Sequence, residues 1–282
     1  MDKRILLPTD FSKNALNAIH YALDMHKDEK CDFYLLNVFQ VKGYSTKSII
    51  APDPEDVDFK AAKKDSLEGL KEQLETLKLK KNNPNHRYYT ISSYNSILYG
   101  IKNVIDKKAI DLVIMGTKGA SDIKTTLFGT NTVNIMEKTS VCPVLAIPEN
   151  IQFTPPNEIV FPTDFKTSFK RREIEVLFGI SKKYKAAIRI LHIMEASKLS
   201  RIQGNNKVLL DDLLADVDHS FHILSDTKVQ KGIVVFIQSR GSDMVAFMNK
   251  KHLFFGSMLT HPLVKEMAYY SKIPVLVLKD IS

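Results

Sequence analysis

Residues 111–130 read DLVIMGTKGASDIKTTLFGT, a short apolar run that leads into a loop containing glycines. The apolar run is too short for a helix and predicts a buried strand. Glycines stand at positions 116, 119 and 129 in the spacing G-x2-G-x9-G, and a helical segment follows over residues 131–138. Glycine lets a phosphate approach the backbone closely, and the N–H groups at the start of a helix attract anions. This stretch therefore predicts a nucleotide site between a strand and a helix.

The composition is that of a globular protein. The chain has 282 residues, of which 44% are hydrophobic and 26% are charged, enough for one large or two ordinary domains. No run approaches the about 18 apolar residues that a membrane span needs. Pro8 and Asp10 come too early for a signal peptide, so we expect a cytoplasmic protein without a membrane association. The net charge of +8 comes from lysines scattered among acidic residues, and we do not expect a nucleic-acid surface.

The two halves of the chain repeat the same blocks in the same order. Residues 5–11 (ILLPTDF) recur as 159–165 (IVFPTDF), and residues 143–147 (PVLAI) recur as 274–278 (PVLVL). Between these blocks, LLNV at 35–38 matches ILHI at 190–193, and DLVI at 111–114 matches DMVA at 243–246. A repeat of this kind predicts a tandem duplication. We place the two domains at residues 1–150 and 151–282, with Thr154-Pro155-Pro156-Asn157 as a stiff linker.

Apolar strand-like runs alternate with helical patterns in both halves. Strands are expected near residues 4–7, 32–39, 87–91, 112–115 and 144–147, and again near 158–161, 187–194, 220–224, 243–248 and 274–278. Their near-continuous hydrophobicity is typical of a parallel sheet covered on both faces. The alternation predicts doubly wound α/β domains, which bind ligands beyond the carboxyl ends of the strands where the strand order reverses.

The helices carry two further signals. Ser12 is expected to cap the first helix. A helix over residues 54–80 carries a leucine stripe, which fits either a coiled coil or one face packed on the sheet. The stripe consists of Leu67, Leu70, Leu74 and Leu77. A shorter helix is expected over residues 205–215 of the second half.

Together these residues resemble the universal stress protein family in its tandem-domain form. The resemblance covers nearly the whole chain and depends on three marks: Pro8-Thr9-Asp10 after the first strand, the glycine loop closed by Gly129-Thr130, and the final Pro-Val-Leu strand of each half. It implies two Rossmann-like (adenine nucleotide alpha hydrolase-like) domains, each a five-stranded parallel sheet with helices on both faces. It also implies stress-linked regulatory roles, with ATP or AMP bound in some members and no nucleotide in others.

The resemblance further implies three groups of nucleotide-binding residues. Pro8, Thr9 and Asp10 would lie near adenine and ribose, with the backbone of Val38 at the adenine edge. Met115, Gly116, Lys118 and Gly119 would border ribose and phosphates. Gly129, Thr130, Asn131 and Thr132 would bind phosphate oxygens through N–H groups and hydroxyls. The chemistry agrees, because a carboxylate accepts from ribose hydroxyls and donors at a helix start suit anions.

The second half departs from this pattern at the glycines. Aligned on the repeat, Met248 and Lys251 replace Gly116 and Gly119, and Thr260 replaces Gly129. The Phe255-Gly256-Ser257 segment lies out of register with the glycine loop. Large side chains at these positions would close the cleft, so we expect no nucleotide in the second half.

Two functions from different classes fit the sequence. The leading one is a regulatory protein that binds ATP or AMP in the first half, with participation of Mg²⁺ left open. The alternative is an interaction scaffold that does not bind nucleotide and uses the Pro-Val-Leu strands at sheet edges. In the family these strands pair two domains, which predicts either a homodimer or an internal pseudo-dimer; the protein partner is unknown.

Neither catalysis nor a metal centre is indicated. The chain has no P-loop motif and no nucleophile–base constellation, so at most slow ATP hydrolysis is expected. His219 and His222 form a close histidine pair, but on a strand their three-residue spacing points them to opposite faces, and no metal is expected. Cys31 and Cys142 are expected to be buried hydrophobic residues.

Overall fold

The computed structural model describes residues 2–41, 55–80, 82–117, 129–139, 141–194, 198–248 and 273–280. The first half runs β1 (Lys3–Pro8), α1 (Lys13–Met25), β2 (Cys31–Phe39), α2 (Val57–Lys80), β3 (His86–Tyr94), α3 (Ile97–Lys108), β4 (Leu112–Gly116), α4 (Thr130–Lys138) and β5 (Val144–Ile147). The second half runs β6 (Glu158–Pro162), α5 (Arg171–Tyr184), β7 (Ala187–Ile193), α6 (Arg201–Leu214), β8 (His219–Leu224), α7 (Val229–Arg240), β9 (Met244–Met248) and β10 (Val275–Leu278).

The strands form one continuous ten-stranded sheet in the order β3-β2-β1-β4-β5-β10-β9-β6-β7-β8. Neighbouring strands are parallel within each half. The two halves meet at β5 and β10, which pair antiparallel with Leu145 opposite Leu276. The predicted α/β class with a five-stranded parallel sheet in each half is confirmed. The two Pro-Val-Leu strands are the edge strands of the two halves, and they pair with each other as the internal pseudo-dimer alternative predicts.

Helices cover both faces of the sheet. Side chains of α1, α2, α5 and α6 pack in one buried cluster, and those of α3, α4 and α7 pack in another. Successive residues of β1 alternate between the two clusters: Ile5 and Leu7 join the first, and Leu6 joins the second. A strand that is buried on both faces needs this continuous hydrophobicity.

The duplication extends to individual hydrogen bonds. A carboxylate oxygen of Asp111 accepts from Arg4 N at 2.8 Å, and the equivalent oxygen of Asp243 accepts from Glu158 N at 3.0 Å. The backbone N–H of each aspartate donates in return to the carbonyl of the same partner, at 2.9 and 3.0 Å. The alignment of residues 111–114 with 243–246 is therefore also the structural one.

The leucine stripe of α2 packs on the sheet, against β2 and β3. Leu70 and Leu77 are 1% and 0% exposed, whereas Leu67 is 51% exposed. Ser66 is buried instead, so the inward face is centred one position away from Leu67. Inclusion of Leu67 in the buried stripe was wrong.

Helix α6 begins at Arg201 rather than near residue 205. Ser200 Oγ accepts from Gln203 N at 3.3 Å, and Gln203 Oε1 accepts from Ser200 N at 2.9 Å. This reciprocal capping box is readable in the sequence as Ser-x-x-Gln and fixes the earlier start. Within the described ranges, no helix has the length and apolar character needed to cross a bilayer.

Replacing Ser12 with alanine is expected to lower the free energy of unfolding by about 1 kcal/mol. Ser12 Oγ accepts from Ala15 N at 3.2 Å and so satisfies one N–H group at the start of α1. Ser96 precedes α3 in the same extended conformation, but its side chain makes no capping hydrogen bond within the described part of the chain. Ser96→Ala is therefore the matched control. Urea denaturation that gave equal losses for the two variants would contradict the prediction.

Candidate functional site

The strand order reverses at β1 in the first half. From β1 the chain continues to β2 and β3 on one side, and later returns to β4 and β5 on the other. Such a reversal opens a crevice beyond the carboxyl ends of the two central strands. Pro8 ends β1, Gly116 ends β4, and Val38 is the second-to-last residue of β2. Three of the sequence-predicted segments therefore meet at one edge of the sheet.

Hydrogen bonds with β2 fix the turn after β1, and the carboxylate of Asp10 lies at this edge of the sheet. Thr9 N donates to Leu36 O at 2.8 Å, and Asn37 Nδ2 donates to Thr9 O at 2.8 Å. Thr9 is buried, so it shapes the turn. Asp10 is exposed, and its Oδ1 accepts from Ser12 N at 3.1 Å. The structure thus gives Thr9 a structural role and presents Asp10 at the crevice.

Gly116 has a packing role. A Cβ atom built on Gly116 would lie 2.9 Å from Asn14 Cγ and 3.1 Å from Asn14 O. Only glycine lets α1 approach the end of β4 this closely. Its neighbour Met115 is buried. Asn14 fills the space that a side chain at position 116 would need, and the proximity of Gly116 to a ribose or a phosphate stays a prediction.

The start of α4 lies against the end of β4. Thr132 Oγ1 donates to Gly116 O at 3.0 Å, and Gly129 N donates to Thr117 O at 2.7 Å. Both donors therefore have acceptors within the protein, and phosphate binding by the residues at the start of α4 stays a prediction. Thr130 is exposed in the first turn of α4.

Asn131, also exposed, follows in the same turn. The first bond of the α4 ladder is that from Val133 N to Gly129 O, at 3.2 Å. The N–H groups of Thr130 and Asn131 precede it and have no partner within the helix. These two backbone donors, with the partial positive charge of the helix start, remain suited to an anion. Lys118 and Gly119 lie outside the described residues.

The turn after β6 in the second half has the same hydrogen bond as the turn after β1, but helix α6 covers it. His192 Nδ1–H donates to Thr163 O at 2.9 Å, as Asn37 does to Thr9. From α6, however, Gln203 Nε2 donates to Asp164 O at 2.8 Å, and Asn206 donates to the next carbonyl at 2.7 Å. Asp164 is only 9% exposed, in contrast to Asp10. Helix α6 therefore packs directly on the turn after β6.

Met248, the second-half equivalent of Gly116, ends β9 and is 3% exposed. Lys251, Thr260 and the segment 255–257 lie outside the described residues. The covering by α6 is thus a second obstruction that the glycine pattern did not reveal.

Three residues that shape the first-half crevice were not predicted from the sequence: Asn14, Asn37 and Thr117. Asn37 carried a signal, because it is a polar residue inside the otherwise apolar segment LLNVF (35–39) of β2. Asn14 carried none, since an asparagine in the first turn of a helix is common and its contact with β4 depends on tertiary packing.

The two cysteines and the pair of histidines at 219 and 222 are explained by packing and hydrogen bonds within the protein. Burial raises the pKa of both cysteine thiols to about 12, and Cys31 and Cys142 are buried and free, as expected. His219 bonds to Asp211 of α6 at 2.7 Å, whereas His222 packs against Phe236 of α7. The two histidines therefore lie on opposite faces of β8. Among the described residues no group of three or more potential metal ligands is assembled.

Comparison with known proteins places the chain in a family. The model of the universal stress protein family matches residues 1–148, and the chain belongs to this family. A search of curated proteins gave no match.

Solved structures share the fold over the full length of the chain. A universal stress protein from Archaeoglobus fulgidus DSM 4304 is 18% identical with a TM-score of 0.68, and the match covers 98% of this chain and 96% of that one. A putative universal stress protein from Pseudomonas aeruginosa UCBPP-PA14 is 13% identical with a TM-score of 0.64, over 99% and 93%. The cytoplasmic domain of a prokaryotic cation chloride cotransporter is 10% identical with a TM-score of 0.54, over 99% and 96%.

Proposed function

We propose that the protein is a stress-response regulatory protein that binds one adenine nucleotide, ATP or AMP, in residues 1–150. Residues 151–282 would form a degenerate domain for structure or interaction. The observation that carries this proposal is the asymmetry of the two equivalent turns: Asp10 is exposed at the crevice, whereas Asp164 lies beneath α6. Among the described residues, the carboxylate that would meet an adenylate is exposed in the first half only.

The roles of the residues follow from their positions. The carboxylate of Asp10 accepts from the ribose hydroxyls, and the backbone at Val38 faces the adenine edge. Phosphate oxygens accept from the N–H groups of Thr130 and Asn131 at the start of α4. Lys118 and Gly119 complete the phosphate side of the proposed site. Binding shifts the protein between states only as far as the nucleotide prefers one of them.

The alternative function, an interaction scaffold that uses the terminal strands as open sheet edges, is not supported by the strand pairing. Backbone groups of β5 and β10 pair with each other, so these strands are not open edges for a partner. The same pairing supports an internal pseudo-dimer over a homodimer through these strands.

Replacing Asp10 with alanine is expected to weaken ATP and AMP binding about 10- to 100-fold, because a hydrogen bond to a charged group contributes about 1.5–3 kcal/mol. Asp164→Ala is the matched control: each aspartate accepts from the backbone N–H two residues later, at 3.1 and 2.9 Å. Isothermal titration calorimetry measures affinity and stoichiometry, with and without Mg²⁺. Two nucleotides per chain, or equal losses for the two variants, would refute the proposal. A time course of ADP release tests for slow hydrolysis.

A further inference from the structure

Helix α6 carries charges at its two ends that oppose the dipole of the helix. Arg201 is its first residue, and Asp211 and Asp212 lie in its last turn. The amino end of a helix is its positive pole and the carboxyl end its negative pole, so both placements are unfavourable in an isolated helix. Helices α3, α5 and α7 instead carry lysine or arginine in the last turn. The end charges of α6 suit a second helix of opposite direction better than α6 itself.

Two of these three charges remain available on the surface. Asp211 is 2.7 Å from His219 of β8 and is therefore already paired. Arg201 and Asp212 are exposed, and no ion pair joins either of them to another residue in the described part of the chain. Arg171 of α5 reaches the same end of α6, but it donates to a backbone carbonyl of the last turn at 2.8 Å.

The two available charges mark the ends of one exposed stripe of α6. The stripe follows the i, i+4, i+7, i+11 spacing of a single helix face and consists of Arg201, Asn205, Val208 and Asp212. Apolar surface lies in and beside it: Val208 is 60% exposed, and Ile202 and Leu209 on one flank are 66% and 49% exposed. Single exposed apolar residues are ordinary, but three on one helix face form a patch that fits a protein contact.

We propose that this exposed face of α6 pairs with the same face of a second copy of the chain, the two helices lying antiparallel about a twofold axis. Positions 201 and 212 are equally far from the midpoint between 206 and 207, so the axis brings Arg201 level with Asp212 of the partner subunit. Each charge then also lies beside the oppositely charged pole of the facing helix. Such a self-complementary contact closes at two copies.

The apolar flank becomes covered in the same arrangement. A twofold axis between antiparallel helices keeps Ile202 and Leu209 of both copies on one side of the pair. Ile202 is then offset from Leu209 of the partner subunit by two residues, about 3 Å along the helix at 1.5 Å per residue. Burial of this flank adds to two exposed ion pairs that contribute only about 0.2–1 kcal/mol each. The contact lies in the second half and does not depend on nucleotide binding.

Sedimentation equilibrium of the full chain tests the proposal. The unaltered chain is expected to dimerise reversibly, and Arg201→Asp and Asp212→Arg are each expected to weaken the dimer at least about 10-fold, because two like-charge contacts replace two ion pairs. Each substitution also gives its helix end the charge that the dipole favours, so the melting temperature of the monomer is expected not to fall. Lys71→Asp on the exposed side of α2 is the matched control and is expected to leave the dimer unchanged.

An equimolar mixture of the two single variants separates this contact from a general effect of charge. The acidic stripe of Arg201→Asp meets the basic stripe of Asp212→Arg, so the mixture is expected to form heterodimers about as tightly as the unaltered chain dimerises. An unaltered chain that stays monomeric, a single variant that dimerises as well as the unaltered chain, or a mixture that stays monomeric would overturn the proposal.

The apolar flank has its own matched pair of variants. Leu209→Ser is expected to weaken the dimer about 10-fold, because each copy loses an apolar side chain from the contact. Leu79→Ser in α2 removes a leucine that is 87% exposed, and it is expected to leave the dimer unchanged. Equal dimer affinities for the two variants would place the contact away from α6 and would contradict the proposed pairing.

Discussion

Alanine at Leu145 or at Leu276 is expected to lower the free energy of unfolding by about 3 kcal/mol in each case. Both side chains are 0% exposed and face each other across the antiparallel β5–β10 pair. Truncation of either leaves a cavity at the seam between the halves. Since the two residues share this contact, the double variant is expected to depart from additivity by about 0.5–3 kcal/mol. Urea denaturation followed by circular dichroism measures all three values.

The control cycle pairs Leu276→Ala with Leu35→Ala on β2. Leu35 is also 0% exposed, but β1, β4 and β5 separate it from β10, which is about 19 Å at about 4.8 Å per strand. The effects of this pair are expected to add. Additivity of the Leu145 and Leu276 effects, or unfolding of the halves in two separate transitions, would contradict a single cooperative sheet.

The strands were predictable because burial on both faces demands a continuous apolar run. The blocks at 111–114 and 243–246 were placed correctly, and their first residues, Asp111 and Asp243, make equivalent hydrogen bonds. The pairing of β5 with β10 was not predictable from composition, since a run such as Val-Leu-Val-Leu looks the same at an edge and at the centre of a sheet. The inward face of α2 was misplaced at Leu67 for a similar reason: several helical faces satisfy a stripe of leucines.

The crevice at the carboxyl ends of β1 and β4 was predictable in its location but not in its detailed contacts. Strand order and the turn at Asp10 follow from local sequence, and they place the crevice. The role of Gly116 depends on how closely α1 packs on β4, which only the tertiary structure shows.

Glu158 joins three elements of the second half through a partly buried ion network. Its carboxylate accepts from Arg189 Nε at 3.0 Å, from Arg240 Nε and Nη2 at 2.8 and 2.6 Å, and from Ser242 Oγ at 2.7 Å. The side chains of Glu158 and Arg189 are 14% and 18% exposed. Removal of the carboxylate leaves arginine charge in a partly buried site without its main partner. Glu158→Gln is therefore expected to lower the free energy of unfolding by about 3 kcal/mol at pH 7.

The pH dependence of the stability lost in Glu158→Gln shows whether the lost charge or altered packing causes it. Burial by itself would raise the pKa of Glu158, but hydrogen bonds from Arg240, Ser242 and Arg189 outweigh it and lower the pKa from 4.5 to about 2. A carboxylate with a lowered pKa in the folded state stabilises the protein above its ordinary pKa, and this contribution is lost as the pH falls towards the folded value. The stability difference between the protein and Glu158→Gln is thus expected to be constant from pH 7 to about 5 and to shrink between about 4.5 and 2.

Urea denaturation across this pH series measures the difference directly. Glu72→Gln on the exposed face of α2 serves as the control and is expected to change the free energy of unfolding by less than about 0.5 kcal/mol at pH 7. A Glu158→Gln loss that persisted unchanged at pH 2.5 would show that the amide fails for reasons of packing rather than charge. Because the network ties β6, β7 and the end of α7 together, its loss acts on the second half, away from the crevice at Asp10. Nucleotide affinity at pH 7 is therefore expected to be the same in Glu158→Gln as in the unaltered protein.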